Sequence, residues 1–116
     1  MKSLRNSVHL IGNLGADPQI KQTGTGKSVA RLSLATSEKF TSADGKKSES
    51  TQWHNLVAWG NLAKISEQYL KKGSEVAVMG RLNYRSYKDN DGAKRYVTEI
   101  VVNELLMLGA RRKEEN

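Results

Sequence analysis

A two-residue alternation of apolar and polar side chains runs through most of this chain, and only one stretch reads with a helical period. From Leu4 to Ile11, Leu4, Asn6, Val8 and Leu10 share one face, and Arg5, Ser7, His9 and Ile11 share the other. Gly12-Asn13-Leu14-Gly15 interrupts that strand, as a bulge or sharp bend would in a small curled sheet, and Asp17-Pro18 marks a turn. After a loop with Gln22-Thr23-Gly24-Thr25-Gly26-Lys27, a second strand runs from Val29 to Glu38. Ala30, Leu32 and Leu34 oppose Arg31, Ser33 and Ser37 across it. Residues Lys39 to Ser50 are polar and hold Asp44-Gly45, which reads as a long, basic, mobile hairpin loop. The third strand, Thr51 to Trp59, puts Trp53, Asn55, Val57 and Trp59 on one face and His54, Leu56 and Ala58 on the other.

Asn61 to Lys71 is the one helical segment. Asn61 can cap its start, and Leu62, Ile65 and Tyr69 form an apolar stripe. Lys71 and Lys72 suit the negative end of the helix dipole, and Gly73 suits the position after it. A fourth strand from Glu75 to about Tyr87 carries Val76, Val78, Leu82 and Tyr84 on its apolar face. Lys88 to Ala93 is a hairpin tip, and a β-branched fifth strand runs from Lys94 to about Leu108. Three strands, one helix and two strands predict an all-β chain. The expected fold is a five-stranded oligonucleotide-binding barrel with the helix between strands three and four. The domain is expected over 1–110, with a short, charged, fraying tail at 111–116.

A length of 116 residues fits a single domain. The absence of cysteine excludes disulfides and thiolate metal sites, and favours a cytoplasmic location. No apolar run approaches the roughly 20 residues that span a bilayer, and the N-terminus lacks a signal-peptide stretch, so no membrane partner is expected. Lysine and arginine outnumber the carboxylates 19 to 12, a formal net charge of +7 that suits a polyanionic partner, nucleic acid being the commonest.

The aromatic residues are few: two tryptophans, four tyrosines and one phenylalanine. Tyr87 has the parity of Arg81 and Arg85, so its neighbours are cations where a core ring would have apolar ones. That points to a ligand face, where each stacked base is worth about 1–3 kcal/mol. Trp53 and Trp59 share one side of their strand and fit either a ligand face or a barrel core. Phe40 stands beside Lys39 at the start of the basic loop. Tyr69 and Tyr84 lie on apolar stripes and are expected in the core. Lys39, Lys46 and Lys47 flank one hairpin, and Arg85, Lys88, Lys94 and Arg95 flank the other, beside the candidate stacking rings. With Lys72 and Arg81, these basic residues are the candidate phosphate contacts.

Gly24-Thr25-Gly26-Lys27-Ser28 resembles the end of a phosphate-binding loop. Lys21 stands where its first glycine is needed, however, and a β pattern follows where a helix is required. His9 and His54 lie on separate strands without metal-ligand spacing, so neither a metal, a cofactor nor catalysis is expected.

Read in order, these segments resemble the bacterial single-stranded DNA-binding protein family. They are Val8-His9-Leu10-Ile11-Gly12-Asn13-Leu14-Gly15-Ala16-Asp17-Pro18, Leu34-Ala35-Thr36-Ser37-Glu38, Thr51-Gln52-Trp53-His54 and Gly60-Asn61-Leu62-Ala63. Tyr69 to Ser74, Gly80-Arg81-Leu82 and Arg95 to Asn103 complete the set. The resemblance covers about residues 4 to 110. It implies a homotetramer that coats single-stranded DNA without sequence preference during replication, recombination and repair, at the nucleoid and replication forks. It implies stacking by Trp53, with Phe40, Trp59 and Tyr87 at positions where the family also uses aromatics, though of a different type. It places His54 at a subunit interface and pairs the first strand, with Val8 and Leu10, against its mate. The family usually ends in a flexible linker and an acidic tip. This chain ends Gly109-Ala110-Arg111-Arg112-Lys113-Glu114-Glu115-Asn116, so recruitment of replication proteins through a tip is not expected. The alternatives are a dimeric or monomeric replication-restart or RNA-binding relative, a nucleotide hydrolase using Gly26-Lys27-Ser28, and a structural oligomer with an incidental basic face.

Overall fold

A computed structural model describes residues 4–109; the expected tail at 111–116 lies outside the described residues. Seven elements follow in order: β1 (Val8–Leu14), β2 (Gln19–Gln22), β3 (Ser28–Thr41), β4 (Lys47–Trp59), α1 (Asn61–Tyr69), β5 (Glu75–Lys88) and β6 (Lys94–Leu108). Strands β1, β5, β6, β4 and β3 are neighbours in that order, and a β1–β3 pairing closes them into a five-stranded barrel. All pairings are antiparallel except β4 with β6. The short β2 adds to the outer edge of β3.

Alternation fills the barrel. Ala30, Leu32 and Leu34 of β3 meet Leu56 and Ala58 of β4, Val76 and Val78 of β5, and Ile100 and Val102 of β6. Gly80 pairs with Val102 while Met79 pairs with Glu104, so Asn103 is an extra residue in β6. The bulge switches parity. Val102 and Ile100 before it, and Leu105 and Met107 after it, all pack on the core. Two glycines allow the walls to close: a Cβ on Gly12 would lie 2.1 Å from the Ala35 carbonyl oxygen, and one on Gly80 would lie 2.2 Å from that of Val101.

Several expectations are corrected. The first strand begins at Val8, not Leu4, because Leu4 to Ser7 form a turn and Leu4 is fully exposed; the strand continues through Gly12 instead of breaking there. Gln19–Gln22 is a strand, because β3 offers it an open edge. The long loop between Lys39 and Ser50 is mostly ladder: pairing continues to Thr41 opposite Lys47, and only Ser42 to Lys46 turn. Ser42 and Asp44 side chains supply the turn, with the Lys46 N–H donating to Asp44 Oδ1 at 3.1 Å.

The helix differs too. Gly60, with φ of 61°, precedes it; Asn61 is its first helical residue and makes no cap, and the helix ends at Tyr69 with no basic residue in its last turn. Ala63 and Ser66 face the barrel together with Leu70 beyond the helix end, while Tyr69 is exposed. Ser66 can be buried because its hydroxyl donates to the Leu62 carbonyl at 2.8 Å. Tyr84 is not in the core either. Its parity is that of Val78, but β5 has left the barrel by that point and no opposing wall covers it.

Candidate nucleic-acid interface

Residues paired across strands share a face, so the register states what the outer wall displays. On β4 that face carries Trp53, Asn55, Val57 and Trp59. Opposite them on β3 stand Ala35, Ser33, Arg31 and Val29. Val57 pairs on its other side with Val101 of β6. Val101, Glu99, Val97 and Arg95 in turn face Arg81, Asn83, Arg85 and Tyr87 of β5. One continuous surface therefore holds Trp53, Trp59 and Tyr87, with Arg31, Arg81 and Arg85 among them. Lys39 and Lys47 extend it along the β3–β4 hairpin. Trp53 is 62% exposed, and Trp59 and Tyr87 are each about half exposed. The Trp53 ring lies against Gly15, where a Cβ would come within 2.4 Å of it.

Glu99 organises the middle of this surface. Its carboxylate is buried and accepts from Arg31 at 3.3 Å and from Arg85 Nε at 3.0 Å. The Arg85 guanidinium also sits 5.8 Å from the centre of the Tyr87 ring. A shallow cavity of about 330 Å³ is lined here by Asp17, Gln19, Arg31, Asn55, Arg85 and Glu99. Two half-exposed arginines held over one carboxylate leave a net positive charge with open donors, suited to phosphate.

The other expected residues fall elsewhere. Phe40 is about half exposed but has the opposite parity to Lys39, so it projects from the reverse face of the β3–β4 hairpin. Lys46 lies in that hairpin's turn. Lys88 pairs with Lys94 on the reverse face of the β5–β6 hairpin. Arg95 is tied at 2.9 Å to Asp89, whose carboxyl is held below the usual range by Arg95 first and by backbone donors of the turn second. Lys72 follows the helix, and its backbone N–H donates to Asp17 Oδ1 at 2.8 Å, at the edge of the cavity. His54 is half-buried on the inward parity and hydrogen-bonds Thr36 at 2.9 Å. Val8 and Leu10 pack on the barrel core, whereas His9 and Ile11 point outward. Among the described residues, no three His, Cys, Asp or Glu side chains gather where a metal could bind. No described helix is long and apolar enough to cross a membrane.

Two residues of this surface are not among those the sequence marks. Arg31 reads as outward on its strand without a role. Glu99 carried a visible signal: it is the lone carboxylate inside the β-branched run Val97-Thr98-Glu99-Ile100-Val101-Val102.

Residues 5–108 match the model of the single-strand binding protein family. The chain belongs to this family. It is a family of binding proteins, not of enzymes. Single-stranded DNA-binding protein 1 of Chlorobaculum tepidum is 52% identical over 107 residues, covering 91% of this chain and 66% of the relative. The single-stranded DNA-binding protein of Xanthomonas axonopodis pv. citri is 47% identical over 106 residues, covering 91% and 59%. The chain thus spans 59 to 66% of the length of these relatives. Among solved structures, a Plasmodium falciparum SSB complex with ssDNA superposes with a TM-score of 0.81 at 36% identity, covering 94% of this chain and 98% of that one. A deletion mutant of the single-stranded DNA binding protein from Thermus aquaticus gives 0.79 at 31% identity, covering 91% and 51%.

Proposed function

We propose that this chain binds single-stranded DNA without sequence preference. Bases stack on Trp53, Trp59 and Tyr87, and Arg31, Arg81, Arg85, Lys39 and Lys47 meet the phosphates. The carrying observation is the outer face on which the three rings and these cations stand together. Every base has a π-face, so stacking tolerates any sequence, while cations along the path follow the backbone. Phe40, Lys46, Lys72, Lys88 and Arg95 contribute from the hairpins and the rim. The relatives named for single-stranded DNA binding, and the Plasmodium complex, support the same reading. Residues 1–110 form the binding domain, and the assembly is a homotetramer in which β1 pairs with its mate and His54 lies at a subunit contact. Its setting is cytoplasmic DNA replication, recombination and repair.

The test is a fluorescence titration with oligo-dT of increasing length at two salt concentrations. Tryptophan quenching, affinity that falls with salt and indifference to base composition are expected. Absence of quenching by any oligonucleotide, or affinity unaffected by salt, overturns the reading. Light scattering reports the assembly: a mass other than four chains overturns the tetramer alone.

A further inference from the structure

The β5–β6 hairpin has a second face of which the proposed binding surface uses only Lys88, at its tip. Beyond the Leu82–Ile100 pair the two strands continue as a ribbon with no further strand beside them. One side of this ribbon carries Arg85 and Tyr87. The other carries Tyr84, Ser86 and Lys88 on β5, facing Thr98, Tyr96 and Lys94 on β6. Tyr84 is 72% exposed and Tyr96 is 76% exposed, the two most exposed aromatic rings among the described residues. Because Tyr84 pairs with Thr98 and Tyr96 with Ser86, the rings are diagonal neighbours, a spacing of roughly 7–8 Å that aromatic side chains bridge. Lys94 Nζ lies 5.9 Å from the centre of the Tyr96 ring.

This face contains two rings, two ammonium groups and no carboxylate. The front face repeats that chemistry, except that Glu99 and Asp89 offset part of its charge. A hydrophobic protein partner would need an apolar patch, and Ser86, Lys88, Lys94 and Thr98 break one up. An acidic polymer with stackable rings satisfies both parts of the face at once.

We propose that the reverse face of the β5–β6 hairpin is a second binding surface for single-stranded nucleic acid. Tyr84 and Tyr96 stack bases there, and Lys88 and Lys94 meet the phosphates. A strand that has crossed Tyr87 on the front rounds the hairpin and continues on the back, so one protomer engages more nucleotides than its barrel wall alone. The proposal rests on the reading of the front face as a DNA surface.

The test compares the intact chain with Tyr84→Ala/Tyr96→Ala on short and long oligo-dT. Short oligonucleotides occupy the front, so their affinity should be unchanged. Long ones should bind at least about fivefold more weakly for each lost stack, with a smaller number of nucleotides covered per protomer. Tyr84→Phe/Tyr96→Phe keeps both rings and should bind long DNA as the intact chain does. Independently, long oligonucleotides carrying 5-iododeoxyuridine, irradiated on the unaltered protein, should cross-link Tyr84 or Tyr96, located by mass spectrometry. Equal affinity of the alanine variant for long DNA, or cross-links confined to the front rings, overturns the proposal. So does an altered mass in solution with unaltered DNA affinity, which assigns the face to contacts between copies. If the intact chain binds no oligo-dT at all, it is the front-face reading that fails.

Discussion

Leu56 and Trp53 stand three residues apart on β4, yet they belong to different regions with different physics. Leu56 lies where β4 has partners on both sides and an opposing wall, and it is 1% exposed. From Trp53 back to Lys47 the same strand pairs only with β3, and its side chains are open to water on both faces. β5 divides the same way, sealed from Val76 to Gly80 and exposed along most of Arg81 to Lys88. The barrel has a core to lose and no ligand chemistry inside it. The hairpin arms carry rings and cations and have almost no core. Two-stranded ribbons are marginal alone in water. Here they extend a rooted sheet and end in turns tied by Asp44 and Asp89. Stability and binding should therefore respond to different substitutions.

The largest effect is expected in the barrel. Leu56→Ala should cost about 2–5 kcal/mol of folding stability by opening a cavity. DNA affinity measured while the variant remains folded should not change. A thermal melt and an oligo-dT titration of the same sample check this, and a matching loss of affinity would erase the division between regions. Trp53→Ala should do the reverse: a loss of about 1–3 kcal/mol in binding, read through Trp59 quenching, against less than about 0.5 kcal/mol in stability.

Glu99 sits on the border, and Glu99→Gln sharpens it. The carboxylate is buried but both arginines are partly exposed to solvent, so solvent screening limits the stability loss to about 1 kcal/mol. Removing one negative charge frees the arginines for phosphate. The plot of log affinity against log salt should steepen by about 0.7, the increment for one more phosphate contact on a single strand. An unchanged slope would mean that the arginines do not meet the backbone.

The smallest effect concerns the hairpin tips. Folding lowers the Asp44 carboxyl through the Ser42 hydroxyl and then the Lys46 N–H, and lowers Asp89 through Arg95 and then the Ala93 N–H. A lowered carboxyl favours the folded turn fully above its unfolded value of 3.8 and loses that preference as pH falls through the lower folded value. Amide shifts of Lys46 and Ala93 should therefore move together with these titrations below pH 3.8, while those of Val76 and Leu34 stay fixed.

Alternation makes the barrel legible: it gives the inward faces of β3 and β4 from Ala30 to Ala58, the place of the helix between β4 and β5, and the shared outward face of Tyr87 and Arg85. Parity states which side a residue faces, but not whether anything lies across from it. Tyr84 departs from its parity for that reason, since the strand outruns the barrel. The hairpin between β3 and β4 hides its strands for a related one. A ladder exposed on both faces has polar residues on both, and so loses the pattern that reveals a strand. Glu99 could be noticed as an odd charge, but its partners come from two other strands, 14 and 68 residues away. Only the register brings them together.

The closing strand has a consequence for how the chain comes together. Asn13 pairs with Ala35 on one side and Glu75 on the other, and Leu14 exchanges backbone hydrogen bonds with Gly73 and Ser74 at 2.8 and 2.9 Å. During synthesis β1 emerges first, while its β5 partners emerge after all of β3, β4 and the helix. The hairpin of β3 and β4 can form early from neighbouring residues, but β1 waits for Glu75 to Gly80, and the barrel stays open until β6 joins β5 to β4. Such distant pairings slow folding and leave strand edges exposed to other chains in the interval. The strand that seals the finished molecule is thus the one that waits longest for its partners.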